Sequence, residues 1–395
     1  MNGHFRKRGQ SWYVWFDIGP GLDGRRRQKS VGGFATKREA QAAFVELRDQ
    51  HSRRNGGVPT SKLALGQYLV EEWLPVAKTS LRPSTWTTTC HYVRAHVCPA
   101  LGHVALKGLT TAQLNAFYST LLADGRRDGR GGLAPESVRH VHGIVHKAIT
   151  DAVRWGYLAR NPATHARPPV RRRVEMKVWS PLELRAFLAH VAGDRLYAAW
   201  LLMATTGMRR GEVLGLRWVD VDLERARLSV VQNLTVADHQ VVVGEPKTAK
   251  GRRPVALDPA TVAALWAHRR AQEGERAAAG TAWRDTGLVF SLPDGSVIHP
   301  RRFSRWFEQR RQRAGLPPIR LHDVRHSYAT AALAAKVAPK VVSERLGHTN
   351  VMATLDTYSH VLPTMQDEAA ATVAALVLNR VGPSGHRPPA PPMKG

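Results

Sequence analysis

Apolar residues at the start of the chain follow a strand-like pattern before a helical one. Residues 12–18 are aromatic and β-prone, and residues 25–31 form a second, basic run after a turn rich in glycine and proline. Thr36 and Glu39 have the spacing of a capping box, and apolar residues recur after them at helical intervals. The pattern predicts a small domain over residues 1–55, made of a three-stranded sheet and one helix.

Helical periodicity dominates the next part of the chain. Residues 51–62 are polar and contain glycine and proline, as expected of a linker. From Leu65 to Asn161 the apolar positions recur at helical spacing in several runs, which predicts a helical domain over residues 63–162. Residues 162–173 hold three prolines and four arginines and are predicted to form an extended basic hinge.

The remaining sequence mixes helical and β-prone segments. Ser180 is followed by proline and, three positions on, by Glu183, a combination that starts helices. Short β-prone runs lie between the helical stretches, at residues 228–231, 240–243 and 253–257. We predict a mixed α+β domain over residues 174–379 and a disordered tail, rich in proline and glycine, over residues 380–395. The fold class as a whole is multidomain and mainly α.

The charge of the chain favours a polyanionic partner. The 395 residues include 58 Lys+Arg against 31 Asp+Glu, a formal net charge of +27. Such a balance is typical of proteins that bind nucleic acid. A solvated basic surface, or a proteome rich in arginine, would give the same balance, so charge alone leaves both interpretations open.

Cysteine usage and hydropathy indicate a cytoplasmic protein. Cys90 and Cys98 are the only cysteines, too few for a disulfide framework, which indicates a reducing compartment. The first residues lack the apolar core of a signal peptide. Residues 196–206 are apolar but too short to span a bilayer, so no membrane association is expected.

Separated segments of the last part of the chain carry side chains suited to phosphoryl transfer. Arg209 follows Thr-Gly-Met, His322 and Arg325 stand in His-Asp-Val-Arg, His348 follows Leu-Gly, and Tyr358 comes ten positions later. Guanidinium groups can hold a phosphodiester by paired hydrogen bonds, imidazoles can donate protons, and a phenol can attack phosphorus. Such a set can cut a nucleic-acid backbone and stay covalently attached to it.

These segments resemble the tyrosine recombinase, or phage integrase, family over roughly residues 60–375. The family's signature reads Arg, Lys, His-x-x-Arg, His or Trp, and Tyr in that order. Every position can be filled in this chain, by Arg209, Lys247, His322, Arg325, His348 and Tyr358. The ordered set is far more specific than any one of its motifs. The resemblance implies an arm-type DNA-binding domain at residues 1–55, a SAM-like core-binding domain at 63–162 and a catalytic domain at 174–379.

The resemblance also implies roles for the candidate residues. Tyr358 would attack the scissile phosphate, forming a 3′-phosphotyrosyl link and freeing a 5′-hydroxyl. Arg209, Arg325 and His348 would stabilise the charge that develops on the phosphoryl oxygens. The energy of the broken bond is kept in the protein–DNA link, so neither a metal nor another cofactor is expected.

Proton transfer and support of the site would fall to other residues. Lys247, in a Lys-Thr pair on a predicted hairpin, would protonate the leaving 5′-oxygen, with Lys250 as the alternative lysine. His322 would be its acid–base partner. Glu212 would brace a neighbouring basic side chain, unless it forms only a surface salt bridge. Arg210 is expected to point away from Arg209, because adjacent helical residues do not share a face.

The family's reaction implies several partners. These are double-stranded DNA at core and arm attachment sites, further copies of the chain in a homotetramer, and DNA-bending or directionality factors. The location implied is the prokaryotic cytoplasm, in association with the nucleoid. An Ala- and Val-rich helix over residues 367–378 would either dock on a neighbouring protomer or close its own core.

Three alternatives compete with the recombinase hypothesis. A type IB topoisomerase shares the chemistry without exchanging partners, and a regulator could use the same scaffold to bind DNA without cutting it. His322 and His326 superficially resemble a zinc-binding helix, but Asp323 replaces its glutamate and no third ligand is evident. The complete residue set favours cutting, and the arm-like amino-terminal domain favours an integrase.

Overall fold

A computed structural model describes residues 3–20, 26–54, 63–171, 176–246, 251–348, 350–352, 355 and 363–378. The chain divides into two compact units, residues 1–174 and 175–395. The multidomain, mainly helical fold class with small sheets is confirmed.

The first unit begins with an antiparallel sheet in the order β1-β2-β3. The strands and the helix that follows them are β1 (Gly3–Arg8), β2 (Ser11–Pro20), β3 (Arg26–Phe34) and α1 (Lys37–Arg54). The Glu39 amide donates to Thr36 Oγ1 at 3.2 Å, which caps α1 as predicted. Val14 of the central strand and Phe44 of the helix are buried together, so sheet and helix share one small core.

The rest of the first unit is a helical bundle. Its helices are α2 (Leu65–Gln67, continuing as π-helical Tyr68–Trp73 and α-helical Leu74–Ser80), α3 (Pro83–Tyr92, Val93–Val97 and Cys98–Leu101), α4 (Thr111–Asp124) and α5 (Pro135–Arg154). Short 3₁₀ turns occupy Leu106–Gly108 and Pro162–His165. Val138, Val141, Val145 and Ile149 are buried along α5, at the spacing expected of one helical face.

Within the described residues, the second unit contains the following α-helices and strands. They are α6 (Pro181–His190), α7 (Tyr197–Thr206), α8 (Arg210–Leu214), β4 (Val221–Asp222), β5 (Arg227–Val230), β6 (Asn233–Ala237), β7 (Gln240–Gly244), β8 (Arg253–Ala256), α9 (Pro259–Ala279), α10 (Pro300–Arg313), α11 (Leu321–Ala334), α12 (Pro339–Leu346) and α13 (Pro363–Val377). The cap predicted for α6 is present, because Ser180 Oγ accepts from the Glu183 amide at 3.3 Å.

Aromatic packing holds α7 against α10 in this unit. The rings of Trp200 and Phe303 stack with centroids 4.3 Å apart, and Phe307 lies beside them. Trp200, Phe303 and Phe307 are all almost completely buried. Large aromatic side chains supply much of the apolar area in a core of this kind, so they fix α7, whose carboxyl end leads to Arg209.

Strand pairing differs from the hairpin expected around Lys247. β7 pairs with β6, and β8 pairs with β5 in a separate sheet. Residues 245–252 therefore connect two sheets rather than two strands of one hairpin. β6 was not predicted as a strand. It joins β7 through Asp238 and His239, whose φ angles of 48° and 62° form a tight turn without glycine, so the usual sequence signal of a hairpin is absent.

The end of the second unit is the long helix α13. Its described side chains are exposed, with Val373, Leu376 and Val377 each more than half accessible. The predicted tail over residues 380–395 lies outside the described residues. Within the part of the chain that the structure describes, no helix is long and apolar enough to cross a membrane.

Candidate active site

Arg209 stands at the junction of two helices. α7 ends at Thr206, and Gly207 follows with a left-handed φ of 68°. Arg209 is then the residue that precedes the short helix α8. Its backbone amide donates to Glu212 Oε2 at 3.0 Å, and its Nη1 donates to Glu212 Oε1 at 2.7 Å. One carboxylate thus fixes both the backbone and the guanidinium of Arg209, whose side chain stays 39% exposed.

Gly207 is required at this junction for two reasons. The left-handed region is costly for residues that carry a Cβ atom. A Cβ atom here would also lie 2.5 Å from Tyr328 Cδ1 and 2.7 Å from Leu346 Cδ2. The absence of a side chain therefore lets α7 approach both α11 and the end of α12.

Arg325 joins the same two helix ends from α11. Its Nη1 donates to the carbonyl of Gly207 at 2.8 Å, and its Nη2 donates to the carbonyl of Leu346 at 2.7 Å. The residue is 2% exposed. Because Gly207 and Leu346 each stand two positions before a candidate residue, this one guanidinium connects the segments of Arg209 and His348.

His348 follows the end of a helix. α12 ends at Leu346, and Gly347 takes a φ of 67°. The Gly347 carbonyl accepts a long hydrogen bond from Arg209 Nη2 at 3.4 Å. Loss of water around the half-buried ring, together with the positive charges of Arg325 and Arg209, lowers the pKa of His348 to about 4. The imidazole is therefore uncharged at neutral pH and can donate one N–H.

His322 lies one turn before Arg325 on α11, so the two share a helix face. Desolvation of its ring, followed by the charge of Arg325, lowers the pKa of His322. Its side chain stays accessible at the surface, so the shift reflects crowding around the ring rather than full enclosure. His326 packs edge-to-face against His322, with ring centroids 5.0 Å apart.

Two candidate positions cannot be located. Lys247 and its alternative Lys250 fall in residues 247–250, and Tyr358 falls in residues 356–362, all outside the described residues. The structure therefore links the segments of Arg209, Arg325 and His348 through hydrogen bonds from the two arginines to the carbonyls of Gly207, Leu346 and Gly347. His322 lies on the helix face of Arg325. The lysine and the tyrosine remain predictions from the sequence.

Glu212 and Arg253 form a buried ion pair beside Arg209. Arg253 Nη2 donates to Glu212 Oε2 at 2.9 Å, and the side chains are 6% and 2% exposed. The bracing role predicted for Glu212 is confirmed, and the alternative prediction, that Glu212 forms only a surface salt bridge, is wrong. Sequence reasoning missed Arg253. The signal was its place in the alternation of residues 253–257, where Val255 and Leu257 face the core and Arg253 is in phase with them.

Arg210 points away from Arg209, as predicted. Its Nη1 donates to Ser304 Oγ of α10 at 2.7 Å. Burial, followed by the charge of Arg301, lowers the pKa of Arg210. The two adjacent arginines therefore serve different surroundings.

Comparison with known families identifies the family to which the chain belongs. Residues 181–365 match the phage integrase family, residues 4–50 an arm DNA-binding domain, and residues 67–122 the phage integrase N-terminal SAM-like domain. The chain belongs to the phage integrase family. It is thus a tyrosine recombinase, an enzyme of site-specific DNA recombination.

Curated members of the family are similar over almost their whole length. A tyrosine recombinase XerC-like protein of Caldanaerobacter subterraneus is 28% identical over 95% of this chain and 99% of its own. The ICEBs1 integrase of Bacillus subtilis is 27% identical over 90% of this chain and 94% of its own.

Solved structures of integrases share the fold. The Tn1549 transposon integrase, in complex with a circular intermediate DNA, matches with a TM-score of 0.65 and 18% identity over 80% of this chain and 99% of its own. A lambda integrase tetramer bound to a Holliday junction matches with a TM-score of 0.55 and 17% identity, over 88% of this chain and 96% of its own.

Proposed function

We propose that this phage integrase family member cuts DNA through Tyr358 and holds the broken strand as a 3′-phosphotyrosyl link. The observation that carries the proposal is the position of Arg325. Its guanidinium donates to the carbonyls of Gly207 and Leu346, which precede Arg209 and His348 by two residues each. Candidate residues that lie far apart in the sequence are thereby held around one point, where a phosphodiester would bind.

The three basic groups have complementary roles at the phosphate. Arg209 is partly exposed, so it can turn a guanidinium fork toward two phosphoryl oxygens. Arg325 is buried, and its charge acts on the same oxygens through surroundings of low dielectric constant. His348, uncharged at neutral pH, donates a hydrogen bond. Such preorganised donors stabilise the pentavalent transition state more than the bound substrate.

The covalent step balances without a cofactor. Tyr358 Oη forms a bond to phosphorus and gives up its proton, while the bond from phosphorus to the 5′-oxygen breaks. Lys247 donates a proton to that oxygen, which leaves as a hydroxyl, and His322 accepts the proton that Tyr358 gives up. Attack by the 5′-hydroxyl of another strand reverses the sequence and releases Tyr358.

Recombination requires that two DNA sites and several protomers come together. We assign arm-site binding to residues 1–55, which carry the match to an arm DNA-binding domain, and core-site binding to residues 63–162 and 174–379. The exposed apolar side chains Val373, Leu376 and Val377 of α13 support docking on a neighbouring protomer in a tetramer. Lambda integrase has been captured as a tetramer on a Holliday junction. DNA-bending or directionality factors complete the proposed assembly.

Replacing Tyr358 by phenylalanine tests the nucleophile. The variant keeps the aromatic ring but lacks the attacking oxygen, so we expect unchanged DNA affinity and no covalent adduct on a radiolabelled, nicked core-site duplex. Tyr197→Phe is the matched control, because this tyrosine packs against the core of the second unit. It should form the adduct at the normal rate. An adduct with Tyr358→Phe would assign the attack to another residue.

Exchange between two sites separates the proposed integrase from a topoisomerase. Wild-type protein mixed with two attachment-site duplexes should produce recombinant strands as well as covalent adducts. Adduct formation and supercoil relaxation without recombinant strands would favour the topoisomerase. DNA binding without an adduct would favour the non-cutting regulator.

A further inference from the structure

Arg253 lies where three segments of the second unit meet. It opens β8 and faces the core, with 6% of its side chain exposed. Its Nε donates to the carbonyl of Arg345 at 2.5 Å, and its Nη1 donates to the carbonyl of Gly251 at 3.0 Å. Gly251 ends the segment that carries Lys247, and Arg345 stands three residues before His348.

The third segment carries Arg209 and is linked to Arg253 through Glu212. Arg253 donates to both carboxylate oxygens, with Nη1 3.3 Å from Oε1 and Nη2 2.9 Å from Oε2. Arg209 donates to the same two oxygens, through Nη1 at 2.7 Å and its backbone amide at 3.0 Å. One buried carboxylate is therefore shared between two guanidinium groups.

The charges in this trio do not cancel. Two guanidinium groups and one carboxylate leave one positive charge in excess. Arg253 is buried, whereas the Arg209 side chain is 39% exposed, so the excess charge is presented to solvent at Arg209. Burial alone would raise the pKa of Glu212, but hydrogen bonding and charge from Arg253, and the charge of Arg209, hold that pKa below its usual value. Glu212 therefore stays ionised and needs a neutralising partner.

We propose that Arg253 is a positioning residue, which neutralises Glu212 so that the charge of Arg209 remains available to the scissile phosphate. This inference rests on the proposed function, in which Arg209 stabilises the phosphoryl oxygens. Without Arg253, the buried carboxylate would have Arg209 as its main counter-charge and would hold that guanidinium in place of the phosphate. Arg253 would not itself touch DNA.

A paired substitution tests this charge balance. Arg253→Met removes the charge and keeps much of the side-chain length, so we expect cleavage at saturating DNA to slow roughly a hundredfold, the scale of losing one transition-state donor. Adding Glu212→Gln removes the carboxylate that captures Arg209. The double variant should therefore cleave at least about tenfold faster than Arg253→Met alone. A residue needed only for folding would give no such recovery. Equal rates for the two variants, both folded and DNA-bound, would overturn the inference.

A charge-conserving variant keeps the test decisive if Arg253→Met does not fold. Lysine cannot make the bonds to Arg345 and Gly251 together with a fork to Glu212, but its ammonium still neutralises the carboxylate. Arg253→Lys should therefore lose less than about tenfold in cleavage rate, because charge rather than geometry dominates. A folded, DNA-bound Arg253→Lys variant slowed about a hundredfold would contradict the inference.

Two controls separate the possible failures. Arg252→Met makes the same change of charge one residue earlier, at a side chain that is 55% exposed and paired with exposed Glu245. It should cleave saturating DNA at the normal rate. Arg209→Lys, measured in the same series, tests the proposed function itself. If Arg209→Lys cleaves normally, the proposed function fails, whereas a slow Arg209→Lys with no recovery in the double variant overturns only the role of Arg253.

Discussion

Arg209 and Arg325 fill the two arginine positions of the predicted catalytic set but lie in different surroundings. Arg209 is 39% exposed and pairs with the carboxylate of Glu212. Arg325 is 2% exposed and donates to two backbone carbonyls. Replacement of each by lysine should therefore affect catalysis alike but stability differently.

Arg209→Lys and Arg325→Lys should each slow covalent cleavage roughly a hundredfold. Arg209→Lys loses the fork that would hold the phosphate, and Arg325→Lys loses the fork that joins the carbonyls of Gly207 and Leu346. DNA affinity should change little, because the positive charge remains. Only Arg325→Lys should also lower the free energy of unfolding, by about 1–3 kcal/mol, because it leaves a buried carbonyl without its donor. Chemical denaturation and single-turnover cleavage measure the two effects.

The Arg209→Lys variant is the control for the change in stability. Arg209→Lys should change the free energy of unfolding by less than about 1 kcal/mol, since its ion pair can persist. Equal losses of rate and DNA affinity in both variants would instead make these residues ordinary DNA clamps.

Acid should destabilise the second unit through the histidine His326. Burial, followed by the charge of His322, lowers the pKa of His326 from 6.5 to about 4. The unfolded chain therefore binds this proton more readily than the folded one, and stability falls as the pH drops from about 6.5 toward 4. Thermal unfolding of His326→Gln should depend less on pH across this window.

His190→Gln is the matched control for acid stability. His190 ends α6 and is exposed. Its replacement should leave the pH dependence of the unfolding temperature as it is in the wild type. If His326→Gln loses stability on acidification as steeply as the wild type, His326 does not contribute to the effect.

Part of the residue-scale picture was accessible from the sequence. The divergence of Arg210 and the helix stop at Gly347 follow from local spacing and backbone preference. The brace at Glu212 was implied by the resemblance to the family. The carbonyl partners of Arg325 and the role of Arg253 were not predicted, because they depend on contacts between residues 21 to 118 positions apart. Alternation along a strand indicates burial, but it does not name the partner across the core.

At the scale of elements, the approach of α7 to α11 and α12 depends on Gly207. Gly207→Ala would require a left-handed alanine and would place its Cβ atom within 3 Å of Tyr328 and Leu346. We expect a loss of roughly 3 kcal/mol or more, because overpacking adds to the backbone strain. Cleavage should fall as well, since the Gly207 and Leu346 carbonyls hold Arg325. Denaturation and covalent trapping test both parts.

Gly287→Ala isolates the backbone component. Gly287 has a similar φ of 66°, but a Cβ atom there would have no neighbour within 4 Å among the described residues. It should cost only about 1 kcal/mol and leave cleavage intact. If the two variants were equally stable and active, close packing at Gly207 would not matter.

Element boundaries were predictable where capping chemistry is local. Thr36 and Ser180 mark helix starts that the structure reproduces. Strand pairing was not predictable in the same way, because β5 pairs with β8 although β6 and β7 lie between them in the sequence. A connection of that length depends on which sheet edges the helices leave open, and no local pattern records it.

At the scale of the whole molecule, removal of residues 1–55 should separate cutting from recombination. Every candidate catalytic residue lies after position 200 in the sequence, so cleavage of a core-site duplex should persist. Recombination between full attachment sites should fail, because the domain proposed to bind the arm sequences would be missing. Footprinting should show protection of the core retained and distal protection lost. A truncated protein that recombines full sites at the normal rate would leave this domain with a packing or partner-binding role.

The carbonyls that hold Arg325 lie at the carboxyl ends of α7 and α12. Aligned peptide dipoles collect about half a negative charge at such an end. The partial negative charges of two helix ends therefore help to hold this buried cation. Partial charges of this size neutralise only part of the guanidinium charge, and the remaining electric field acts on a phosphate bound nearby. Its strength is set by the direction of two helices, so a tilt of either helix would weaken catalysis without moving a single catalytic side chain out of its rotamer.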